Sequence, residues 1–362
     1  LTAYHLRVTV LPGGDVRDLY VVDGRFTFTR PSHLDVTTIA DGGYALPGLV
    51  DAHCHVGLDA NGPVDLATSR AQAVADRDRG ALLLRDAGSP VRYAELDDDP
   101  TLPRIIHAGR HIARTRRYLK GYAVEVEPEQ LVATVEAQAQ RGGGHGPGWV
   151  KIVVDWIDRS VGDLAPCWPA DVLAAAVRRA HELGARVAVH AFGEEVLPDV
   201  VAAGVDSIEH GTGLTAEVID EVARRPIAVV PTLVNIATFD AIADRATKYP
   251  VYAARMRALK RSAAERLRAA RDAGIPLYVG TDAGGVLPHG LVVDEMLALR
   301  EIGLTTQEVL AAGSWAAREW LGLPGVVEGG PADLVVYEDD PRRDLGVLRY
   351  PRRIVVRGTL IR

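Results

Sequence analysis

Cysteine is nearly absent: Cys54 and Cys167 are the only ones in 362 residues, too few for a disulfide framework. Lysine is almost as scarce. It occurs at Lys120, Lys151, Lys248 and Lys260 alone, although lysine and arginine together number 41, so the basic charge is almost wholly arginine. Against 48 acidic residues the balance is −7, which argues against nucleic acid or an anionic membrane as the main partner. No apolar run approaches the ~20 residues that span a bilayer. The opening Leu1-Thr-Ala-Tyr-His5 has neither a basic nor an apolar leader segment. The missing initiator Met reads as trimming, and the expected location is the cytoplasm. What is present, 48% hydrophobic and 25% charged residues, suits a globular chain with a sizeable core, in one large domain or a few smaller ones.

Both ends read as strands. Leu6, Val8 and Val10 alternate with polar neighbours, Pro12–Asp15 supplies a turn, and Leu19–Val22 follows. Near the other end, Ala332–Tyr337 and Arg353–Gly358 have the same character. Neither piece has enough strands to stand alone, so residues 1–47 and 326–362 are expected to pair as one small β-sandwich. Between them, residues 48–325 alternate short β-branched runs with Ala/Arg/Glu-rich stretches of helical period. The strand candidates are Leu49–His55, Ala81–Asp86, Arg104–Ala108, Trp149–Asp155, Arg186–His190, Asp206–His210, Ala228–Thr232 and Pro276–Thr281. Helix candidates are Val64–Asp78, Ala170–Leu183, Glu194–Ala203, Tyr252–Ala273, Glu295–Arg300 and Thr306–Leu321. This alternation predicts an α/β fold, a (β/α)8 barrel of TIM type, with a doubly wound open sheet as its rival.

Asp51-Ala-His-Cys-His55 places His53 and His55 on one face of a strand, since residues two apart point the same way. Paired imidazoles at a strand end are good ligands for a divalent metal, though they also occur as ordinary polar decoration. Three more strands end in similar groups: Val187-Ala-Val-His190, Ser207-Ile-Glu-His210 and Tyr278-Val-Gly-Thr-Asp282. A lone histidine in that place is more often a structural hydrogen-bonder. Four histidines and an aspartate at C-terminal strand ends would converge on the face where barrel active sites lie. Lys151, in Trp149-Val-Lys-Ile-Val-Val154, is the sixth member of the set. Inside a buried strand its charge is costly, so it must be neutralised, paired or modified. Carboxylation by carbon dioxide makes it an anion able to bridge two cations; pairing with Asp155 or Asp86 is the alternative.

With these residues in view, the chain resembles the amidohydrolase superfamily, the metal-dependent hydrolases of the urease type. Within it, the chain most resembles the branch of imidazolonepropionase and the prolidase-like carboxypeptidases. The resemblance runs from the entry motif Leu46–His55, through His190, His210 and Asp282, to the exit motif Gly330–Val336. It implies a binuclear site, with His53, His55 and Asp282 on the more buried metal and His190 and His210 on the other. Carboxylated Lys151 would bridge the pair. Zinc (Zn2+) is the expected metal, with manganese (Mn2+) or iron (Fe2+) tolerated. The implied activity is hydrolysis of a C–N bond in an amide, cyclic amide, N-acyl amino acid or small peptide. A hydroxide bridging the metals would attack, with Asp282 as general base and then acid. Lactone, ester or organophosphate hydrolysis would use the same hydroxide. Deamination fits less well, because deaminases of this kind resemble a mononuclear pattern without the lysine. A barrel scaffold without catalysis predicts damaged ligands, and all six positions are intact. The resemblance also implies a homo-oligomer and a small-molecule substrate.

There is one departure. Prolidase-like members often carry Gly-Gly-His-Gly after the third strand, where this chain has the arginine-rich Gly109–Tyr118. Its own Gly143–Gly146 string precedes the fourth strand, at the opposite end of a barrel, and is expected to be a flexible connection. That counts against a peptide substrate. In the arginine-rich loop, His111, Arg114, Arg116, Arg117 and Tyr118 are candidate substrate contacts. The arginines would either clamp a substrate carboxylate or form solvated surface. His289, after the last strand, either touches substrate or caps the next helix. Trp156, Trp168 and Asn235, beyond strands four and seven, are read first as packing, though a pocket wall would use such residues.

Overall fold

The computed structural model describes residues 2–362. Its two ends do pair. Thr2–Val10 lies inside a seven-stranded sheet, antiparallel to Asp15–Val22 and parallel to Asp35–Pro47. Asp35–Pro47 then takes Leu334–Tyr337 antiparallel, with Leu46 opposite Val335, and Arg353–Val356 follows. The seven strands pair in one continuous order. Leu6, Val8, Leu19, Phe26, Leu334 and Val336 form an apolar cluster on it. Strand alternation is used twice in Leu334–Tyr337: Leu334 and Val336 enter that cluster, while Val335 and Tyr337 enter the main core.

The middle is a mixed α/β structure that follows the expected alternation. Leu49–Cys54, Ala81–Asp86 and Arg104–His107 pair in parallel in that order. Trp149–Val153, Arg186–Ala191, Ser207–His210 and Ala228–Val230 do the same. Their residues are buried almost throughout, which is why these strands read as apolar runs rather than as alternation. Pro276–Thr281 is extended chain held by single bridges rather than a full strand. It nevertheless bonds to both sides. Val229 N donates to Pro276 O at 2.9 Å, and Ala52 N donates to Val279 O at 2.8 Å. Gly280 lets it pass this close, because a Cβ there would stand 2.7 Å from the Cβ of His53.

Arg104–His107 and Trp149–Val153 belong to different sheets, with a gap between them. There Gly143–Gly144 inserts antiparallel against His107 and Ile106, and His145 N donates to Ile105 O. The Gly143–Gly146 string thus begins as a paired strand and is not a loose connection. Gly143 and Gly144, at φ of 104° and 91°, allow the chain to double back into the gap.

Helices start where caps permit. Asp65 accepts from Thr68 N at the head of Leu66–Asp78, and Thr305 and Glu308 cap Thr306–Ala312 reciprocally. The single helix expected over Thr306–Leu321 is two, Thr306–Ala312 and Trp315–Trp320. The break is at Gly313, which packs against Met296 and whose carbonyl accepts from Val50 N. Among the described residues no helix is long and apolar enough to cross a membrane.

Candidate metal centre

Strand ends bring the candidate ligands together. His53 closes in from Leu49–Cys54 and His55 stands just past it, with ring centroids 5.3 Å apart. Asp282 Oδ1 lies 3.1 Å from His53 Nε2 and 3.0 Å from His55 Nε2. His210 Nε2 lies 3.0 Å from His190 Nδ1, and the His210 ring is 5.2 Å from that of His53. His53, His210 and Asp282 offer one donor atom each within 4.8 Å of one another. Lys151 Nζ is 3.5 Å from His53 Nε2. His210, Thr232 and Asp282 adopt left-handed conformations, with φ of 69°, 52° and 58°. In non-glycine residues these cost about 1–3 kcal/mol each and concentrate at functional sites.

Three of the four rings are held from behind. His55 Nδ1 donates to Gly88 O at 2.7 Å, His53 Nδ1 meets Glu209 Oε2 at 2.6 Å, and His210 Nδ1 meets Thr232 Oγ1 at 2.7 Å. A neutral imidazole that donates through Nδ1 presents a lone pair at Nε2. In His53 and His55 that lone pair faces Asp282 Oδ1, a second acceptor. Acceptors facing each other at 3.0 to 3.1 Å require a positive centre, either a proton or a metal cation. Imidazole and carboxylate donors suit zinc and its neighbours. His190 Nε2 is buried without a partner. Burial, then the charges of His210 and Lys151, hold His190 well below the ordinary histidine range. Burial does the same for His210, so both rings are neutral at pH 7, the form that binds metal.

The charges beneath are arranged in pairs. Burial alone would raise Glu209, but Arg85, Lys151 and His53 outweigh it and keep it well below its usual value. Arg85 Nη2 donates to both Glu209 oxygens, at 2.7 and 2.8 Å, and its guanidinium sits 4.5 Å from the centre of the Trp149 ring. Asp282 is also held well below its usual range: burial raises it, and the charge and hydrogen bonds of His53 and His55 prevail. Burial lowers Lys151 to about 8, with Glu209 and Asp282 opposing. Neither Asp155 nor Asp86 pairs with Lys151. Asp155 accepts from the amides of Phe192 and Gly193, and Asp86 from Gly88 N and Ser89 Oγ.

Residues 163–360 match the model of the amidohydrolase family. The chain belongs to the amidohydrolase family. Accordingly it is an enzyme, a hydrolase acting on carbon–nitrogen bonds. Uncharacterized proteins of Mycobacterium bovis and Mycobacterium tuberculosis are 52% identical to this amidohydrolase over 355 residues, which cover 98% of it and 94% of each relative. Among solved structures, its fold is similar to that of a Xaa-Pro dipeptidase with methionine bound in the active site. The TM-score is 0.80 at 23% identity, over 99% of both chains. It is similar also to the ochratoxinase of A. niger, with a TM-score of 0.82 at 20% identity, over 99% of this chain and 95% of that one.

Above the cluster the amidohydrolase has a cavity of about 270 Å³. Tyr118, Tyr122, Trp156, Phe192 and Tyr252 wall it with Leu58, Ile242 and Leu287; His55, His190 and Asp282 reach into it. Of the substrate contacts expected from the sequence, His111 and Tyr118 line this cavity, their rings 5.1 Å apart. His111 Nδ1 is tied to Gly88 O at 2.9 Å, and its buried Nε2 has no partner. Trp156 and Asn235, read first as packing with a pocket wall as the alternative, line the cavity too, and Asn235 Nδ2 donates to Asp282 Oδ2 at 2.8 Å. Trp168 packs as expected, donating to Val153 O.

The arginines of the Gly109–Tyr118 loop lie elsewhere. Arg117 is buried under the hairpin Asp155–Asp158/Asp163–Pro166, donating to Asp158 Oδ2, Trp156 O and Ala165 O. Arg114 donates to Cys167 O, and Arg116 is exposed outside the lining. His289 is outside it as well, with Nδ1 2.7 Å from Asp76 Oδ2, and Val292–Glu301 begins without a side-chain cap. The arginine that lines the cavity is Arg245, at the end of Phe239–Arg245. It is exposed and makes no hydrogen bond or ion pair among the described residues. Reading the sequence missed Arg245, Glu209, Arg85 and Thr232. Two of them carried a signal: Arg85 and Glu209 are charges inside apolar strands, the feature that singled out Lys151.

Proposed function

We propose that this amidohydrolase cleaves the C–N bond of a small amide bearing a carboxylate and a bulky apolar group, an N-acyl amino acid being the model case. One observation carries the reading. His53, His55, Lys151, His190, His210 and Asp282 meet below an aromatic-walled cavity whose one arginine, Arg245, carries no other partner. We take residues 48–325 as a (β/α)8 barrel and residues 1–47 with 326–362 as the sheet domain. Bonds from Pro276–Thr281 to both neighbours favour a closed barrel over an open sheet, whose edge strands would be free.

Two divalent cations would be held there, one by His53, His55 and Asp282, the other by His190 and His210, with carboxylated Lys151 between them. Zinc fits the donors best, and manganese or iron would be accepted. When bound, such cations supply Lewis acidity to a carbonyl and a water acidified toward neutral pH. The remaining work belongs to the chain's own groups. A lysine at about 8 is roughly a tenth neutral at pH 7, far more than an ordinary lysine, and the neutral amine is the form that adds carbon dioxide. Asp282 stays an anion, so it can take a proton from the attacking water and return it to the leaving nitrogen. Asn235 fixes the carboxylate's orientation while it does so. His111, neutral and with Nε2 unused, is placed to hydrogen-bond the substrate. The aromatic walls bind the apolar part and exclude water.

Elemental analysis of protein grown with zinc and bicarbonate tests this reading. About two metal equivalents per chain are expected, with a carbamate signal from 13C-bicarbonate that vanishes in Lys151→Arg. A single equivalent without a carbamate signal would remove the bridging lysine from the site.

A further inference from the structure

Glu295 is fully buried on Val292–Glu301, away from the candidate ligands. Its two carboxylate oxygens accept from successive backbone amides: Leu233 N reaches Oε1 and Val234 N reaches Oε2, both at 2.8 Å. Those amides open the single-turn helix Leu233–Ile236, and the first donors of a helix have no acceptor within it. Just ahead stands Thr232, left-handed at φ 52°, whose Oγ1 is 2.7 Å from His210 Nδ1. Within the turn, Asn235 Nδ2 reaches Asp282 Oδ2 at 2.8 Å. A single carboxylate therefore fixes a turn from which two side chains reach into the site. Keeping it there is costly, since burial pushes Glu295 up to about 8 against the help of both amides. An apolar residue would fill the same space without that cost, but it would leave two buried N–H groups unpaired.

We propose that Glu295 is a positioning residue for the hydrolysis, clamping the turn after Ala228–Val230 so that Asn235 holds Asp282 and Thr232 holds His210. The proposal rests on the reading of Asp282 and His210 as working members of the site. In Glu295→Gln, one amide loses its acceptor and meets an NH2 group instead.

Amide hydrogen exchange over residues 228–240 tests the clamp without substrate or metal, and kinetics on N-acetyl-L-phenylalanine test its use. In Glu295→Gln, the Leu233 and Val234 amides should exchange about tenfold faster or more, and kcat should fall about tenfold with KM little changed. In a background of Asn235→Ala with Thr232→Val, adding Glu295→Gln should slow the enzyme no further, because the clamp acts through those two side chains. Unchanged exchange overturns the proposal, and so does a loss in kcat that multiplies in the triple variant. If Glu295→Gln fails to fold, Glu295→Asp keeps the carboxyl group but shortens the reach, and the same two outcomes decide. A wild-type enzyme inert toward N-acyl amino acids would sink the substrate reading, while the exchange rates would still decide the clamp.

Discussion

Arg245 illustrates how far a single residue's role depends on the fold around it. It is the one arginine of the cavity lining and has no ion-pair partner among the described residues, while aromatic and aliphatic side chains make up most of the walls around the polar His55, His111, His190, Asn235 and Asp282. A carboxylate there would gain a charge-assisted hydrogen bond at the rim of the cavity. Arg245→Met is therefore expected to raise KM for N-acetyl-L-phenylalanine by about tenfold or more, with a smaller change in kcat. The neutral analogue N-acetyl-L-phenylalaninamide should lose little, and an equal loss for both would show that Arg245 serves packing alone. The sequence pointed to a clamp but to other arginines. Arg117 is anchored by contacts with Trp156, Asp158 and Ala165, which a loop read in isolation does not reveal. The six candidate ligands were legible because chemistry, spacing and strand ends agreed. Glu209 was less so: strand alternation puts residues 209 and 210 on opposite faces, and only the left-handed turn at His210 lets both reach the site.

At the scale of elements, the exit motif acts as a joint. Asp333 precedes Leu334–Tyr337 and accepts from Arg104 Nε at 2.7 Å, Arg318 Nη2 at 3.0 Å and Arg357 N at 2.7 Å. It ties the terminal sheet to the inner strand Arg104–His107 and to the helix Trp315–Trp320. Burial would raise this carboxyl, but Arg318 and Arg104 hold it below its ordinary value. A folded value below the unfolded one gives stability that is present above the unfolded pKa of about 3.9 and is lost as pH falls through the folded value. Asp333→Asn leaves Arg318 buried without its counter-charge, so a loss of about 3–5 kcal/mol at pH 7 is expected. Urea titrations of both proteins should show that gap narrowing below about pH 4. A constant gap would mean that shape rather than charge makes the joint. Most elements were legible from apolar runs and helical period. Pro276–Thr281 was legible as extended chain, though it makes only single bridges. The hairpin Asp155–Asp158/Asp163–Pro166 and the helices Leu131–Ala139, Ala216–Ala223 and Phe239–Arg245 were not anticipated. Nor was the pairing of Gly143–Gly144, which depends on glycines that permit a reversal and in sequence look like any loop.

Across the whole molecule, the terminal sheet and the inner strands share one core. Val335, Tyr337, Leu348, Ile354 and Val356 come from the end of the chain, yet they belong to the same apolar cluster as Leu49, Leu82 and Leu84. Ser314 Oγ donates to Pro47 O at 2.7 Å and Gly48 N to Asp333 O at 3.0 Å, directly behind the strand that carries His53. Loosening the sheet therefore uncovers the support of the site. Ile354→Ala, with Ile354 buried on a strand far from the cavity, is expected to cost about 2–5 kcal/mol. Thermal unfolding followed by circular dichroism, tryptophan fluorescence and residual hydrolysis should move to lower temperature as one transition. Two separated transitions, with hydrolysis surviving the first, would show that the joined ends are an independent unit. Small domains usually melt in one step whatever their architecture, whereas 362 residues lie well above that size. Coincident melting here would therefore come from the shared core rather than from chain length.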